Sequence, residues 1–280
     1  MSGWHALASQ LPFEWARYAF MQNALLAVLV MGPLFALLGC MVVNKQMAFF
    51  SESVGHATLT GIALGVILGL RDPLWSMLAV AVLLALGVSL LRRHSAASAD
   101  TVIGLAMAFA VAVGVAVLSR GGGFAKYQRY LIGDVLTITP AELARLAILL
   151  AGVAVVWIAL FNPLFLVSLH APLARSRGIR VALLEALFSV VVAVAVTVSI
   201  QWVGLLVINS MLILPAAAAR NIARDTPRFI ALSVAVSVLS GVLGLVGSFY
   251  WGTATGATIV LVAMGFFAVS VGLRALAVRV

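Results

Sequence analysis

The sequence predicts an all-α, polytopic membrane protein with about eight to nine transmembrane helices. Of its 280 residues, 64% are hydrophobic and only 9% are charged, whereas soluble proteins carry about 25% charged residues. The mean hydropathy of +1.21 points the same way. The apolar residues also form continuous runs, which favours helices over the short alternating segments of a membrane β-barrel.

Nine apolar runs, each near the length that a helix needs to cross a bilayer, follow one another with short polar connections between them. No hydrophilic block is large enough to be a separate soluble domain. We therefore expect a single transmembrane domain over residues 1–280, with its membrane core at 20–273. The runs lie at 20–43, 52–70, 74–91, 101–119, 143–162, 181–200, 203–219, 229–248 and 256–273.

The basic residues predict orientation. The net charge of +9 comes from arginines and lysines in short loops between the runs, a pattern that sets membrane topology and does not indicate nucleic-acid binding. The positive-inside rule places the more basic set of loops in the cytoplasm and the N-terminus outside. That set contains Arg92, Arg93, Arg175, Arg177, Arg180, Arg220, Arg224, Arg228, Arg274 and Arg279, and also Lys45 if 52–70 is a full span.

The run at 52–70 begins with two polar side chains. Glu52 and His56 are four residues apart, so a helix would stack them on one face with about 6 Å between their Cβ atoms. A carboxylate and an imidazole are costly in hydrocarbon, and together they could form half of a site for a divalent transition metal. A plain helix cap or a headgroup contact would explain the same residues.

Three glycines follow the pair at intervals of four residues, at Gly61, Gly65 and Gly69. At about 100° per residue, this stripe points away from Glu52 and His56. Such faces of small residues let neighbouring membrane helices approach closely. We expect the helix to pack through its glycines and to present its polar pair elsewhere.

Three further polar residues are candidate gate or pathway groups. Asp134 follows Gly133 in the longest polar connection, where a turn residue is the simpler interpretation. Asn209 and Ser210 lie in the middle of the run at 203–219. Hydrogen bonding to neighbouring helices would account for both, because an amide is a weak ligand for transition metals.

The segment at 216–228 follows Pro215 and combines small residues with arginines. We expect a short, basic, amphipathic helix that ends before Pro227 on the cytoplasmic side. A soluble partner could dock there, although an ordinary positive-inside loop explains the arginines equally well.

Several motifs are absent from the sequence. Neither lysine, Lys45 or Lys126, follows a glycine, so there is no Walker A loop. The absence of HExxH disfavours a zincin-type intramembrane protease. The absence of CxxC and of His-rich runs gives no indication of a structural zinc site.

Five segments together resemble the membrane permeases of bacterial ABC importers for zinc, manganese and iron, and most of all those of high-affinity zinc uptake systems. They occur in the family's order and span most of the chain, from about residue 23 to residue 273. The segments are MVVNKQMAFFSESVGHATLTGIALG at 41–65, DTVIGLAMA at 100–108, YLIGDVLTITPAEL at 130–143, VGLLVINSMLILPAAAARNIA at 203–223 and TGATIVL at 255–261.

The resemblance implies a multi-pass homodimer in the bacterial inner membrane that is not itself an enzyme. Two copies of a separate cytoplasmic ATPase would drive it, and a periplasmic or lipoprotein metal-binding protein would deliver the cargo. It implies no permanently bound cofactor and no nucleic acid, only the transported divalent metal, most simply Zn²⁺, and surrounding lipid. Glu52 and His56 match the family's metal pair. Segment 216–228 corresponds to the family's coupling segment, which contacts the ATPase. The expected contact residues are Ala219, Arg220, Asn221, Arg224 and Asp225.

The chain departs from the family pattern at two places. Glu52 stands where an Asp is usual, which lengthens the arm by one methylene. An Asp that the family often carries near the last external loop is replaced by Tyr250, Trp251 and Gly252, so no role is carried over there.

Three other functions stay open at this stage. A family member that carries manganese or iron would show the same pair. An ion-coupled secondary transporter would need no ATPase, but the inverted repeats of such proteins are not evident. A membrane enzyme that uses Glu52 and His56 as an acid/base pair would lack a third convergent catalytic group.

Overall fold

The computed structural model describes residues 13–70, 72–121 and 134–278. Within them the chain forms two short 3₁₀ helices, Glu14–Arg17 and Val135–Thr137, ten α-helices and no strand. The α-helices are α1 (Ala19–Asn44), α2 (Phe50–Ile67), α3 (Leu74–His94), α4 (Ala99–Gly121), α5 (Pro140–Leu169), α6 (Ala171–Ser176), α7 (Val181–Val203), α8 (Leu205–Ile222), α9 (Thr226–Trp251) and α10 (Thr255–Val278).

Eight of these helices are long and apolar enough to cross a membrane, namely α1, α3, α4, α5, α7, α8, α9 and α10. The remaining long helix, α2, has 18 residues and carries its two ionisable side chains, Glu52 and His56, in its first half. Each of the nine apolar runs coincides with one of these helices, which confirms the predicted fold class.

Side chains of the expected types cap two of the helices. The Thr139 backbone N–H donates to Glu142 Oε2 at 2.8 Å, and the Glu142 N–H donates back to Thr139 Oγ1 at 3.3 Å. This reciprocal capping box starts α5. At α9, the Asp225 carboxylate accepts from the Arg228 N–H at 2.8 Å, and Pro227 stands in the first turn, where its missing N–H costs nothing.

The segment after Pro215 differs from the prediction of a separate short helix. Pro215 lies inside α8, which continues to Ile222, and α9 begins at Thr226. Buried helices tolerate an internal proline when neighbouring groups satisfy the freed carbonyl. Pro227 therefore begins a helix here and does not end one.

Contacts divide the chain into two compact units that alternate along the sequence. One contains the described residues of Met41–Ile132 and Val155–Gln201. In it, α2 packs on both α3 and α4, which also touch each other. A Cβ at Gly61 would meet the backbone of Met77, and one at Gly65 would meet the Ser76 side chain, so these two glycines form the predicted close contact.

Gly69 departs from that stripe, because a Cβ there would meet nothing within 4 Å. It has a φ of 67° and follows the last turn of α2. The Leu70 N–H donates to the Gly65 carbonyl at 2.9 Å, the pattern of a glycine that closes a helix.

The other unit contains the described residues of Met1–Cys40, Gly133–Ala154 and Trp202–Val280. Here α8, α9 and α10 pack against one another. Gly39 of α1 lies against the Leu212 carbonyl of α8, and the Ser237 hydroxyl donates to the Gly32 carbonyl at 3.0 Å. Cys40, the single cysteine of the chain, is buried in α1 with 1% of its surface exposed.

Candidate metal site and coupling segment

Glu52 and His56 lie on one face in the first two turns of α2, as their spacing predicts. The Nε2 atom of His56 is 4.0 Å from Oε1 of Glu52. The side chain of His56 is 33% exposed and that of Glu52 is 42% exposed. By contrast, Gly61 and Gly65 are buried on the opposite side of the helix. One face of α2 therefore packs, and the other carries an imidazole and a carboxylate that remain partly exposed.

The separation of the two ligand atoms is close to what a metal ion needs. Zinc bonds of about 2.0–2.1 Å in tetrahedral geometry place two ligand atoms roughly 3.4 Å apart. Glu52 Oε1 and His56 Nε2 would have to approach by only about 0.6 Å, which a small side-chain rotation provides. The pair could hold one metal ion without a change in the helix.

The pair provides only half of a site. Among the residues that the structure describes, no group of three or more His, Cys, Asp or Glu residues is placed to hold a metal ion. Tetrahedral zinc needs four ligands. Further histidine, cysteine or carboxylate ligands would therefore come from outside the described part of one chain.

A hydrogen bond and the burial of two side chains hold the packed side of the first turn of α2. The Ser53 hydroxyl donates to the Ile103 carbonyl of α4 at 3.5 Å, and Phe50 is fully buried. Ser51 is also buried, and its hydroxyl has no partner among the described residues. The packing of α2 therefore fixes which face carries Glu52 and His56.

Each of the three candidate gate residues has its own local surroundings. The Asp134 carboxylate accepts from the Leu136 N–H at 3.0 Å and caps the 3₁₀ helix, which is the turn role that the sequence favoured. The buried Ser210 hydroxyl donates to the Val207 carbonyl of its own helix at 2.9 Å. The Asn209 Oδ1 atom is buried and accepts no hydrogen bond from the described residues.

The predicted coupling segment consists of the end of α8, a short connection and the start of α9. Ala219 is buried, and Arg220, Arg224 and Asp225 are exposed. The Asn221 side-chain amide donates to the Ser270 hydroxyl at 3.0 Å, and Arg274 donates to Asn221 Oδ1 at 3.2 Å. The end of α8 is thus tied to the last turns of α10.

The sequence comparisons assign the chain to a family. The sequence model of the ABC 3 transport family matches residues 17–274, which is most of the chain. The chain belongs to the ABC 3 transport family.

Two relatives in the comparison are named for different metals. The high-affinity zinc uptake system membrane protein ZnuB of Haemophilus influenzae is 29% identical over 248 residues, covering 88% of this chain and 95% of the relative. The manganese import system permease protein ScaB of Streptococcus parasanguinis is 28% identical over 254 residues, covering 91% and 90%. Identity to the two relatives is nearly equal, so it does not select one metal.

A solved structure shares the fold. PsaBC from Streptococcus pneumoniae in complex with Fab gives a TM-score of 0.78 at 27% sequence identity, covering 96% of this chain and 95% of the PsaBC chain. The resemblance inferred from the five segments is confirmed. The chain is a permease of the ABC importer family for zinc, manganese or iron.

Membership of the ABC 3 transport family settles several expectations together. The chain is a multi-pass protein of the bacterial inner membrane. As a permease subunit it is not itself an enzyme. An ABC importer permease implies an ATPase and a metal-binding protein as partners.

Sequence reasoning missed one charged pair. It placed Lys45 among the cytoplasmic loop charges and gave no role to Glu185. In the structure, Lys45 Nζ lies 3.3 Å from Glu185 Oε1, and the lysine side chain is only 3% exposed. The one available signal was an acid in the second turn of an otherwise apolar helix, where a charge requires a partner.

Proposed function

We propose that this permease imports a divalent cation, most simply zinc, through a homodimer in which Glu52 and His56 of both copies bind the ion. The observation that carries the proposal is the half-site on α2. Glu52 and His56 are within 4.0 Å of each other and partly exposed. No described group within the chain completes the site.

A second copy related by two-fold symmetry would complete it. An isologous dimer brings the same surface of each copy together, so two carboxylates and two imidazoles would meet at the axis. Four such ligands match a closed tetrahedral zinc site, and the two carboxylates neutralise the ion. The exposed polar face of α2 supports this arrangement, because it would otherwise face lipid at a high cost.

Zinc is the preferred cargo because the five sequence segments most resemble those of high-affinity zinc uptake permeases, whereas the imidazole–carboxylate pair does not discriminate between metals. Manganese and iron accept the same ligands, and the relatives include both a zinc and a manganese protein. Import of manganese or iron is therefore the second candidate function. In either case the metal is a substrate that binds transiently and then leaves.

Transport also requires the two partners and a route for mechanical coupling. We infer that two copies of a cytoplasmic ATPase act on segment 216–228 and that an external metal-binding protein delivers the ion. Within the single transmembrane domain, the contacts would fall at Ala219, Arg220, Asn221, Arg224 and Asp225. ATP binding would then shift the population between outward-facing and inward-facing states, with Asp134, Asn209 and Ser210 as candidate path residues.

The test is ATP-driven metal uptake in liposomes that contain the permease, its ATPase and its binding protein. Zinc, manganese and iron are compared for the native chain and for His56→Ala at equal incorporation. Zinc-selective uptake that the variant loses supports the site, the energy source and the cargo. Manganese or iron selectivity supports the second candidate.

Two other results would contradict parts of the proposal. Undiminished uptake by His56→Ala would leave the permease in place and remove the metal site from α2. Uptake that does not depend on ATP would contradict the ABC mechanism and favour an ion-coupled secondary transporter.

A further inference from the structure

An ion pair between a buried lysine and a partly exposed glutamate joins the turn between α1 and α2 to helix α7. Lys45 Nζ donates to Glu185 Oε1 at 3.3 Å. The lysine side chain is 3% exposed, and that of Glu185 is 32% exposed. The ammonium group also lies 6.0 Å from the centre of the Phe188 ring, one turn further along α7, at the outer edge of cation–π contact.

The same turn is also held by α3. Met47 is buried, and its sulfur accepts from Arg92 Nη1 at 3.1 Å. Gln46, between Lys45 and Met47, has a φ of 52°, the one positive φ of a non-glycine residue in the described part of the chain. Few residues adopt this conformation without support from their surroundings.

Burying this lysine has an electrostatic cost. Desolvation lowers the pKa of Lys45, and the nearby Arg92 charge adds to the lowering, while the Glu185 carboxylate opposes both by favouring the charged form. A buried ion pair seldom stabilises a fold more than apolar residues of the same size would. The pair is therefore better explained by what it positions than by stability alone.

Helix α2 needs such positioning at its start. The residue before it, Phe49, supplies no side-chain cap, and the first backbone N–H groups of a helix have no partners within it. Glu52 lies in this first turn. Instead of a capping side chain, the turn at Lys45–Met47 leads into the helix, and the Phe50 N–H donates to the Met47 carbonyl at 3.0 Å.

We propose that Lys45 and Glu185 are positioning residues for metal binding, because they anchor the turn that fixes where α2 begins and thus where Glu52 stands. The inference rests on the proposed function, in which Glu52 and His56 bind the cargo. Loss of the anchor would let the first turn of α2 fray and displace the carboxylate. His56, one turn further in, would move less.

The experiment is calorimetric titration of zinc and of manganese into the purified permease–ATPase complex. The variants are Lys45→Met, Glu185→Gln, the double variant, Lys45→Arg and His56→Ala. Arg93→Met is the matched control, since Arg93 is an exposed cation next to Arg92 at the end of α3. Thermal unfolding of each variant is measured in parallel.

We expect Lys45→Met and Glu185→Gln each to weaken zinc affinity on the order of tenfold, the scale of supporting-residue losses at metal sites. The ratio of zinc to manganese affinity should change as well, which a loss of stability alone would not cause. The double variant should be no worse than the single variants, because both remove the same pair. Lys45→Arg should bind nearly as the native chain does, and Arg93→Met should be unchanged.

Unchanged affinities in Lys45→Met and Glu185→Gln, with lower unfolding temperatures, would overturn the proposal and leave the pair a purely structural one. If Lys45→Met does not fold, Glu185→Gln alone decides between the two roles. The Glu185 side chain is partly exposed, so its substitution should be tolerated by the fold. Native affinity in His56→Ala would instead refute the metal site itself, and the positioning role with it. Loss in His56→Ala with no change at Lys45 or Glu185 would refute the positioning role alone.

Discussion

Gly39 of α1 lies directly against the backbone carbonyl oxygen of Leu212 in α8, where a Cβ atom has no space. Small residues at such crossings let helices in membranes pack by close backbone contact. Substituting Gly39→Ala should force the two helices apart and destabilise the fold by about 1–3 kcal/mol, the usual cost of overpacking. The measurement is the thermal unfolding midpoint of the purified permease in detergent.

Gly152→Ala is the matched control for this substitution. Gly152 also lies within a long helix, α5, but a Cβ there would meet nothing within 4 Å. The change should be neutral or slightly stabilising, because alanine is the better helix former. Equal midpoints for the two variants would mean that the contact at Leu212 is not tight in the folded protein.

The effect of the Glu52 charge can be measured separately from the effect of its side-chain length. Glu52→Asp keeps the carboxylate and shortens the arm by one methylene. Glu52→Gln keeps the length and removes the charge. We expect zinc uptake to persist in Glu52→Asp and to fall to background in Glu52→Gln, because an amide is a poor ligand for transition metals.

Initial uptake rates in liposomes, at matched incorporation, decide between these outcomes. Uptake by Glu52→Gln at the native rate would show that charge at this position is not required. Loss in both variants would show instead that the geometry set by the longer glutamate arm is essential to this chain.

The capping box at the start of α5 is a second place where stability can be measured. Thr139 and Glu142 satisfy two N–H groups reciprocally; Thr139 is exposed and Glu142 is half-buried. Thr139→Ala should cost about 1 kcal/mol. The double variant with Glu142→Ala should cost less than the sum of the single variants, because each substitution already breaks the shared box.

Urea or thermal unfolding of the three variants measures this coupling. Strict additivity would show that the two residues act independently. A Thr139→Ser variant, which keeps the hydroxyl, should restore most of the stability and serves as the control.

Asn221 tests how the C-terminal end of α8 is held. Its amide donates to Ser270 and its carbonyl accepts from Arg274, both in α10. Asn221→Ala should remove both contacts, whereas Asn221→Asp keeps an acceptor for Arg274. If 216–228 is the coupling segment, Asn221→Ala should raise the ATP hydrolysed per metal ion transported, and Asn221→Asp should have a smaller effect.

The measurement is the ratio of ATPase rate to uptake rate in the same liposomes. Parallel losses of both rates, with the ratio unchanged, would assign Asn221 to stability and not to coupling.

The sequence predicts those features that depend on neighbouring residues in the chain. The nine apolar runs become helices because length and composition decide membrane insertion. Glu52 and His56 share a face because residues four apart in a helix do so.

Features that join distant segments lie beyond such reasoning. Lys45 and Glu185 are 140 residues apart, and nothing in either local pattern names the other as partner. Gly39 and Leu212 likewise meet only through tertiary packing. The error at Pro215 has a related cause: proline breaks an isolated helix, but a buried helix can keep it when its surroundings satisfy the backbone.

The burial of Cys40 has a practical consequence for measuring motion in this permease. Cys40 is the single cysteine in 280 residues, and with 1% of its surface exposed it offers almost no access to maleimide or methanethiosulfonate reagents in the folded state. Spin labels or fluorophores placed on introduced cysteines would therefore report from those positions alone. Distances across the transport cycle can be followed in the native background, without first replacing an endogenous thiol.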